Sequence, residues 1–205
     1  MASRPPNFFG VIHIGSEQVS LQIVEYISLQ DMRVVEKAAS QVPLGEETFK
    51  TGKISFAAVR ELCDLLKGYR RILGEYGVKD YRVLATTAIR EAENQQYIID
   101  QIKVKTGFAV EVIDMPQEIF HKYIALFRTI EAQNLTNEPG GVLSVDISSG
   151  GLGFTLLADG KLVYQQNIHI GALRIKESFE KYQRESVNFH QALTEYIKST
   201  IEPVE

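Results

Sequence analysis

The segment Asp146-Ile147-Ser148-Ser149-Gly150-Gly151 places an acid at the end of an apolar run and then four small residues with only Ile147 between. That pattern suits phosphate chemistry. Small residues let the backbone approach an anion, and successive N–H groups form a nest for it. The aspartate can hold Mg²⁺ directly or through water, because Mg²⁺ takes oxygen ligands. An earlier segment, Val11-Ile12-His13-Ile14-Gly15-Ser16, has the same layout, with His13 where the later one has Asp146. Imidazole is a poor Mg²⁺ ligand and lacks a carboxylate's charge. One such turn is weak, since Gly and Ser also mark ordinary hairpins. Two in register within a repeat are a stronger signal.

The elements that position these turns follow from periodicity. Phe8–Ile14, Val19–Ile27 and Asp31–Ala39 read as strands, the second by strict alternation. Gly45–Glu47 and Lys50–Lys53 read as loop. Ser55 opens a helix whose apolar face carries Val59, Leu62, Cys63, Leu66, Tyr69 and Leu73. Then come a strand at Val83–Thr86, a helix at Ala88–Lys105 and a strand at Phe108–Ile113. Pro116 stands at a helix start, and Glu118–Ala132 is helical. Asn134–Gly141 is a breaker cluster, and a seam in or just before it gives expected units of 1–125 and 126–205. The pattern then restarts with strands at Val142–Ile147, Gly153–Leu157 and Leu162–Ile170, with a hairpin turn at Asp159-Gly160. Helices at Ala172–Tyr182 and Ser186–Thr200 follow. The second unit stops after its helices, so its sheet is expected to be incomplete, with an edge that invites a homodimer.

The composition sets limits. Of 205 residues, 22 are Lys or Arg and 26 are Asp or Glu, a net charge of −4. This balance gives no basic face for nucleic acid. No apolar run is long enough for a bilayer, and the first residues hold no apolar leader segment. The one cysteine excludes an intrachain disulfide framework. A cytoplasmic protein without a membrane or nucleic-acid partner is expected. Cys63 falls on the apolar stripe and reads as core. His121, His169 and His190 show no metal-ligand spacing.

These residues resemble the exopolyphosphatase and guanosine pentaphosphate phosphohydrolase family (Ppx/GppA), within the actin, sugar-kinase and Hsp70 ATPase superfamily. Val11–Ser16 is similar to the family's first phosphate turn, (A/V)-(V/I)-D-(I/L)-G-S. Ala85-Thr-Thr-Ala-Ile-Arg90-Glu91-Ala92-Glu93-Asn94 is similar to A-T-S-A-(V/I)-R-E-A-x-N. Val112-Ile113 and the next helix sit where the family has V-I-S-G-x-E-E-A. Val145-Asp146-Ile147 and its turn resemble V-D-I-G-G-G-S-T-E, and Ile170-Gly171-Ala172-Leu173-Arg174 resembles L-G-A-V-R. The resemblance covers residues 8 to 182.

It implies an α/β fold of two duplicated ribonuclease-H-like lobes, the second incomplete, around a cleft for phosphoanhydrides. The implied reaction is Mg²⁺-dependent release of the terminal phosphate of polyphosphate or guanosine pentaphosphate. Glu118 aligns with the general base, against the plain alternative of an acid favoured in a helix's first turn. Asp146 is the implied metal ligand. Gly15, Ser16, Ser148, Ser149, Gly150 and Arg90 are the implied phosphate contacts, Arg90 as a bidentate clamp. Arg174 is either a second-lobe equivalent or a surface partner of Glu177. Three positions depart from the pattern: His13 replaces an Asp, Gln117 a Glu, and Gly153 a Glu. They leave open a weakened or inactive relative that binds the same ligands or a protein partner. An ATP-using kinase-like member is a further alternative.

Overall fold

The computed structural model describes residues 7–28, 31–135, 139–179 and 187–201. By contact the chain divides into two compact units, Met1–Asp114 and Met115–Glu205. The position expected for the seam, 125/126, lies inside a continuous helix that belongs to the second unit.

Unit 1 is built on β1 (Asn7–Ile14), β2 (Gln18–Tyr26), β3 (Met32–Gln41), β4 (Asp80–Ala85) and β5 (Val110–Val112), ordered β3-β2-β1-β4-β5. The first three strands are an antiparallel meander, and β4 and β5 add to it in parallel. This is the ribonuclease-H-like arrangement. One face of the sheet is apolar because alternate strand residues share a face: Ile12 and Ile14 of β1, and Val19, Leu21 and Ile23 of β2, are buried. Helix α2 (Phe56–Glu75) supplies Val59, Leu62, Cys63, Leu66, Tyr69 and Leu73 to the same core. Each fully buried Leu or Ile contributes roughly 1.5–3 kcal/mol. Ser55 caps α2, its side chain accepting from the Ala58 amide at 3.2 Å, and the Tyr69 hydroxyl donates to the Val19 carbonyl at 2.9 Å.

Cys63 is fully buried, and burial pushes its thiol pKa up against the opposing charges of Lys105 and Lys67. A neutral, enclosed thiol is expected to resist 5,5′-dithiobis(2-nitrobenzoic acid) in the native protein and to react only on denaturation. Reaction without unfolding would show that α2 is not seated as described.

Unit 2 carries α5 (Met115–Ala132), then β6 (Val142–Ile147), β7 (Leu152–Ala158) and β8 (Lys161–Ile168) in an antiparallel sheet ordered β6-β7-β8. Helices α6 (Ala172–Ser178) and α7 (Phe189–Ile201) follow. Asp159 and Gly160 both have positive φ, 51° and 67°, at the β7–β8 turn, as a tight primed hairpin requires. Residues 136–138 of the breaker cluster, and the expected helix end at Tyr182 and start at Ser186, lie outside the described residues.

The internal repeat is visible bond by bond. Gly15 N–H donates to the Gln18 carbonyl at 2.9 Å in the first copy, and Ser148 N–H donates to the Gly151 carbonyl at 2.9 Å in the second. His13 pairs with Ser20 across β1–β2, and Asp146 pairs with Gly153 across β6–β7. The next strand pairing slips at matching points, Ile23/Val24 and Leu156/Leu157. His13 and Asp146 are thus structural equivalents within their own units.

Two local expectations need correction. The stretch read as loop after Pro43 is helix α1 (Leu44–Thr51), with Glu46 and Glu47 in its first turn, Lys50 in its last, and Gly52 at φ 75° closing it. Charges placed this way favour a helix, and Leu44 and Thr48 are buried. The helix read as continuous over Ala88–Lys105 is two, α3 (Thr87–Glu91) and α4 (Gln95–Thr106). Asn94 makes the break. Its side chain accepts from Ile54 N–H at 3.1 Å and donates to the Ile54 carbonyl at 2.8 Å. Gln95 Nε2 donates to the Ile89 and Arg90 carbonyls at 3.1 Å each, meeting two acceptors that the end of α3 leaves over. None of the described helices is long and apolar enough to cross a membrane.

Candidate functional site

In unit 1, β1 ends at Ile14 and turns through Gly15 and Ser16. The turn is pinned from behind: Val42 N–H donates to the Glu17 carbonyl at 2.9 Å and Gly45 N–H to the Ser16 carbonyl at 2.7 Å. The Gly15 amide therefore closes the hairpin. His13 is exposed on β1, and its Nε2 lies 3.2 Å from Thr86 Oγ1. Thr86 in turn donates its N–H to the Ile14 carbonyl at 3.1 Å, so the start of α3 is stitched to the end of β1. Helix α1 supports α3 from the other side, through the Thr48 hydroxyl on the Ala88 carbonyl at 3.1 Å.

Arg90 sits near the end of α3. Its guanidinium donates to the Ile113 carbonyl at 3.0 Å and to Thr87 Oγ1 at 3.1 Å. These bonds fix the plane of the guanidinium and join α3 to the chain after β5.

In unit 2 the Ser148–Gly151 turn is closed by its own side chain as well. Ser148 Oγ donates to the Gly151 carbonyl at 3.0 Å and accepts from the Gly151 N–H at 3.1 Å. The start of α6 then clasps it. Ala172 N–H donates to the Ser148 carbonyl, and Leu173 and Arg174 N–H both donate to the Ser149 carbonyl, at 3.0–3.1 Å. Arg174 Nε adds a bond to the Gly150 carbonyl at 3.2 Å, while Glu177 meets Lys176. Arg174 thus buttresses the turn.

Glu118 and Asp146 come together in this unit, and a residue the sequence reading passed over joins them. Lys122 Nζ is 2.7 Å from Asp146 Oδ2 and 3.4 Å from Glu118 Oε1. Glu118 and Lys122 are one helical turn apart on α5, with the acid N-terminal, the favourable order. Burial works against the Lys122 ammonium. The hydrogen bond and charge of Asp146, with Glu118 behind them, outweigh it and hold its pKa above the usual lysine value. The four-residue Glu–Lys spacing was the available signal for this ion pair. Its reach to Asp146 depends on tertiary packing.

These donors do not fit a resident Mg²⁺. The ion takes oxygen ligands and usually one or two carboxylates with substrate phosphates. Asp146 and Glu118 are the carboxylates here, and both already face an ammonium. Gly153, opposite Asp146 in the β6–β7 register, offers no side chain. Among the described residues no group of three or more His, Cys, Asp or Glu is placed to hold a metal.

Comparison with known proteins agrees with this architecture. A family model, the Ppx/GppA phosphatase family, matches residues 23–205. Exopolyphosphatase 1 of Mycobacterium tuberculosis is 23% identical over 166 residues, which is 81% of this chain and 47% of that protein. The bifunctional 3-dehydroquinate synthase/phosphatase of Fusobacterium nucleatum is 25% identical over 174 residues, 82% of this chain and 26% of that protein. The crystal structure of an exopolyphosphatase from Cytophaga hutchinsonii superposes with a TM-score of 0.80 at 26% identity, covering 97% of this chain and 62% of that one. The Aquifex aeolicus Ppx/GppA family member gives 0.72 at 25% identity, with 98% and 63% covered. The chain spans about half the length of the mycobacterial relative and about a quarter of the bifunctional one. With a matching model over most of its length and the duplicated strand–turn–strand units in place, the chain belongs to the Ppx/GppA phosphatase family.

Proposed function

We propose that the protein is a phosphoanhydride hydrolase of the exopolyphosphatase or guanosine pentaphosphate phosphatase type. Water attacks the terminal phosphorus, and Glu118 takes the water's proton. The bond from that phosphorus to the bridging oxygen breaks, and the oxygen leaves with the shortened chain. Phosphoryl transfer asks for positioning and charge neutralisation more than covalent chemistry, and a placed carboxylate supplies the base. The observation that carries this reading is the meeting of Glu118 with Asp146 at the mouth of the Ser148–Gly151 turn, through Lys122. Mg²⁺ enters it only as a companion of the substrate's phosphates, not as a resident of the protein.

A second reading, a weakened relative that binds such ligands without turning them over, has its own support. His13 holds in unit 1 the place that Asp146 holds in unit 2 and supplies no carboxylate, and Lys122 is already bonded to the acids that would work. Phosphate release from polyphosphate and from guanosine pentaphosphate, measured with malachite green beside calorimetric binding of both, separates the two. Release supports the hydrolase. Binding without release supports the weakened relative, and neither binding nor release sinks both.

A further inference from the structure

We propose that Lys122 is the site's built-in cation, which holds Glu118 and Asp146 and keeps divalent ions off them. The inference starts from the mismatch between the expected Mg²⁺ and the donors present. Asp146 directs Oδ2 at Lys122 Nζ from 2.7 Å, and Glu118 directs Oε1 at the same nitrogen from 3.4 Å. An ammonium and a divalent ion compete for the same lone pairs, and with both present their like charges repel. The lysine cannot leave as a free ion does. It is tethered to α5 one turn from Glu118, so its local concentration at the two acids is fixed by the fold.

The position opposite Asp146 fits this assignment. Gly153 pairs with Asp146 across β6–β7 and has no side chain to add a carboxylate. No third carboxylate is placed beside this pair among the described residues to enlarge the donor set for a metal. Lys122 sets a positive charge on a flexible four-carbon stem between the two acids, and lysine, a compact point charge with three donors, is suited to that place. The assignment concerns the site of the proposed hydrolase, but it is read by metal binding and not by turnover.

Mn²⁺, observed by electron paramagnetic resonance, is the probe, because it shares the oxygen preference of Mg²⁺. The wild-type protein and Lys122→Arg are expected to show no saturable site that depends on Asp146. Lys122→Met keeps the length and helix preference of the side chain. It is expected to gain such a site, with an apparent affinity at least about tenfold above any upper limit set for the wild type, a change of roughly 1.4 kcal/mol. Adding Asp146→Asn should remove the gain. If Lys122→Met does not fold by circular dichroism, Lys122→Gln is read in its place. A wild-type Mn²⁺ site that Asp146→Asn abolishes would overturn the proposal, as would a folded Lys122→Met protein with no gain. Phosphate release by the wild type does not enter this reading, so the proposal and the hydrolase fail separately.

Discussion

Replacing Glu118 with glutamine is expected to lower phosphate release by about 10²–10⁴-fold, the usual contribution of a positioned general base. Glutamine keeps the shape and a hydrogen-bonding oxygen but cannot accept the water's proton at neutral pH. The loss should appear equally in kcat and kcat/KM, because proton transfer belongs to the transition state and not to ligand binding. Stability should barely move. Glu118 is the farther partner of Lys122, at 3.4 Å against 2.7 Å for Asp146, and Lys122 is partly exposed. A solvated helical pair of this spacing contributes only about 0.3–0.5 kcal/mol, and with the Glu118 side chain 17% exposed the cost should lie at or a little above that range. Calorimetric binding of polyphosphate should therefore survive the change. Equal turnover by wild type and Glu118→Gln, above a buffer blank, would remove Glu118 from the chemistry. Equal and negligible turnover with intact binding would instead identify the weakened relative.

Much of the fold was legible because its signals are local. Alternation in Val19–Ile23 named β2, and the spacing of Val59, Leu62, Leu66 and Leu73 named α2. The repeat was legible from two turn segments alone. Extending it past the third strand would also have found α1. In unit 2 the helix after β8 donates amides to the Ser149 carbonyl, and in unit 1 Gly45 of α1 does the same for Ser16. Local reading missed α1 because Gly45 and the Lys50–Lys53 stretch look like breakers, while the Leu44 and Thr48 contacts that fix the helix are tertiary. The α3–α4 break was hidden for the same reason. The Asn94–Ile54 clasp, forty residues apart in sequence, fixes where the helix stops. At the site, spacing brought out the two turns and resemblance Glu118. Lys122 became visible only once α5 and β6 were set side by side.

Gly171→Ala is expected to cost about 3 kcal/mol or more and to loosen the second turn. The reason is approach, not backbone angle: Gly171 is extended, at φ −99° and ψ 163°, where any residue is allowed. A Cβ there would lie 2.3 Å from the Ser149 carbonyl oxygen and 2.4 Å from the Gly151 nitrogen. Both are backbone atoms, so no side chain can swing aside. Retreat of the turn would stretch the Ala172, Leu173 and Arg174 amide bonds that clasp it. Overpacking costs typically about 1–3 kcal/mol, and each backbone bond lost adds roughly 0.5–1.5 kcal/mol. Gly68 supplies the contrast. It lies within α2 with open space where a Cβ would go, so Gly68→Ala should stabilise by about 0.5–1 kcal/mol. Thermal melts give the two signs, and amide exchange locates the first effect at residues 172–174. If Gly171→Ala melts with the wild type and those amides stay protected, the clasp between α6 and the Ser148–Gly151 turn is not what shapes that turn.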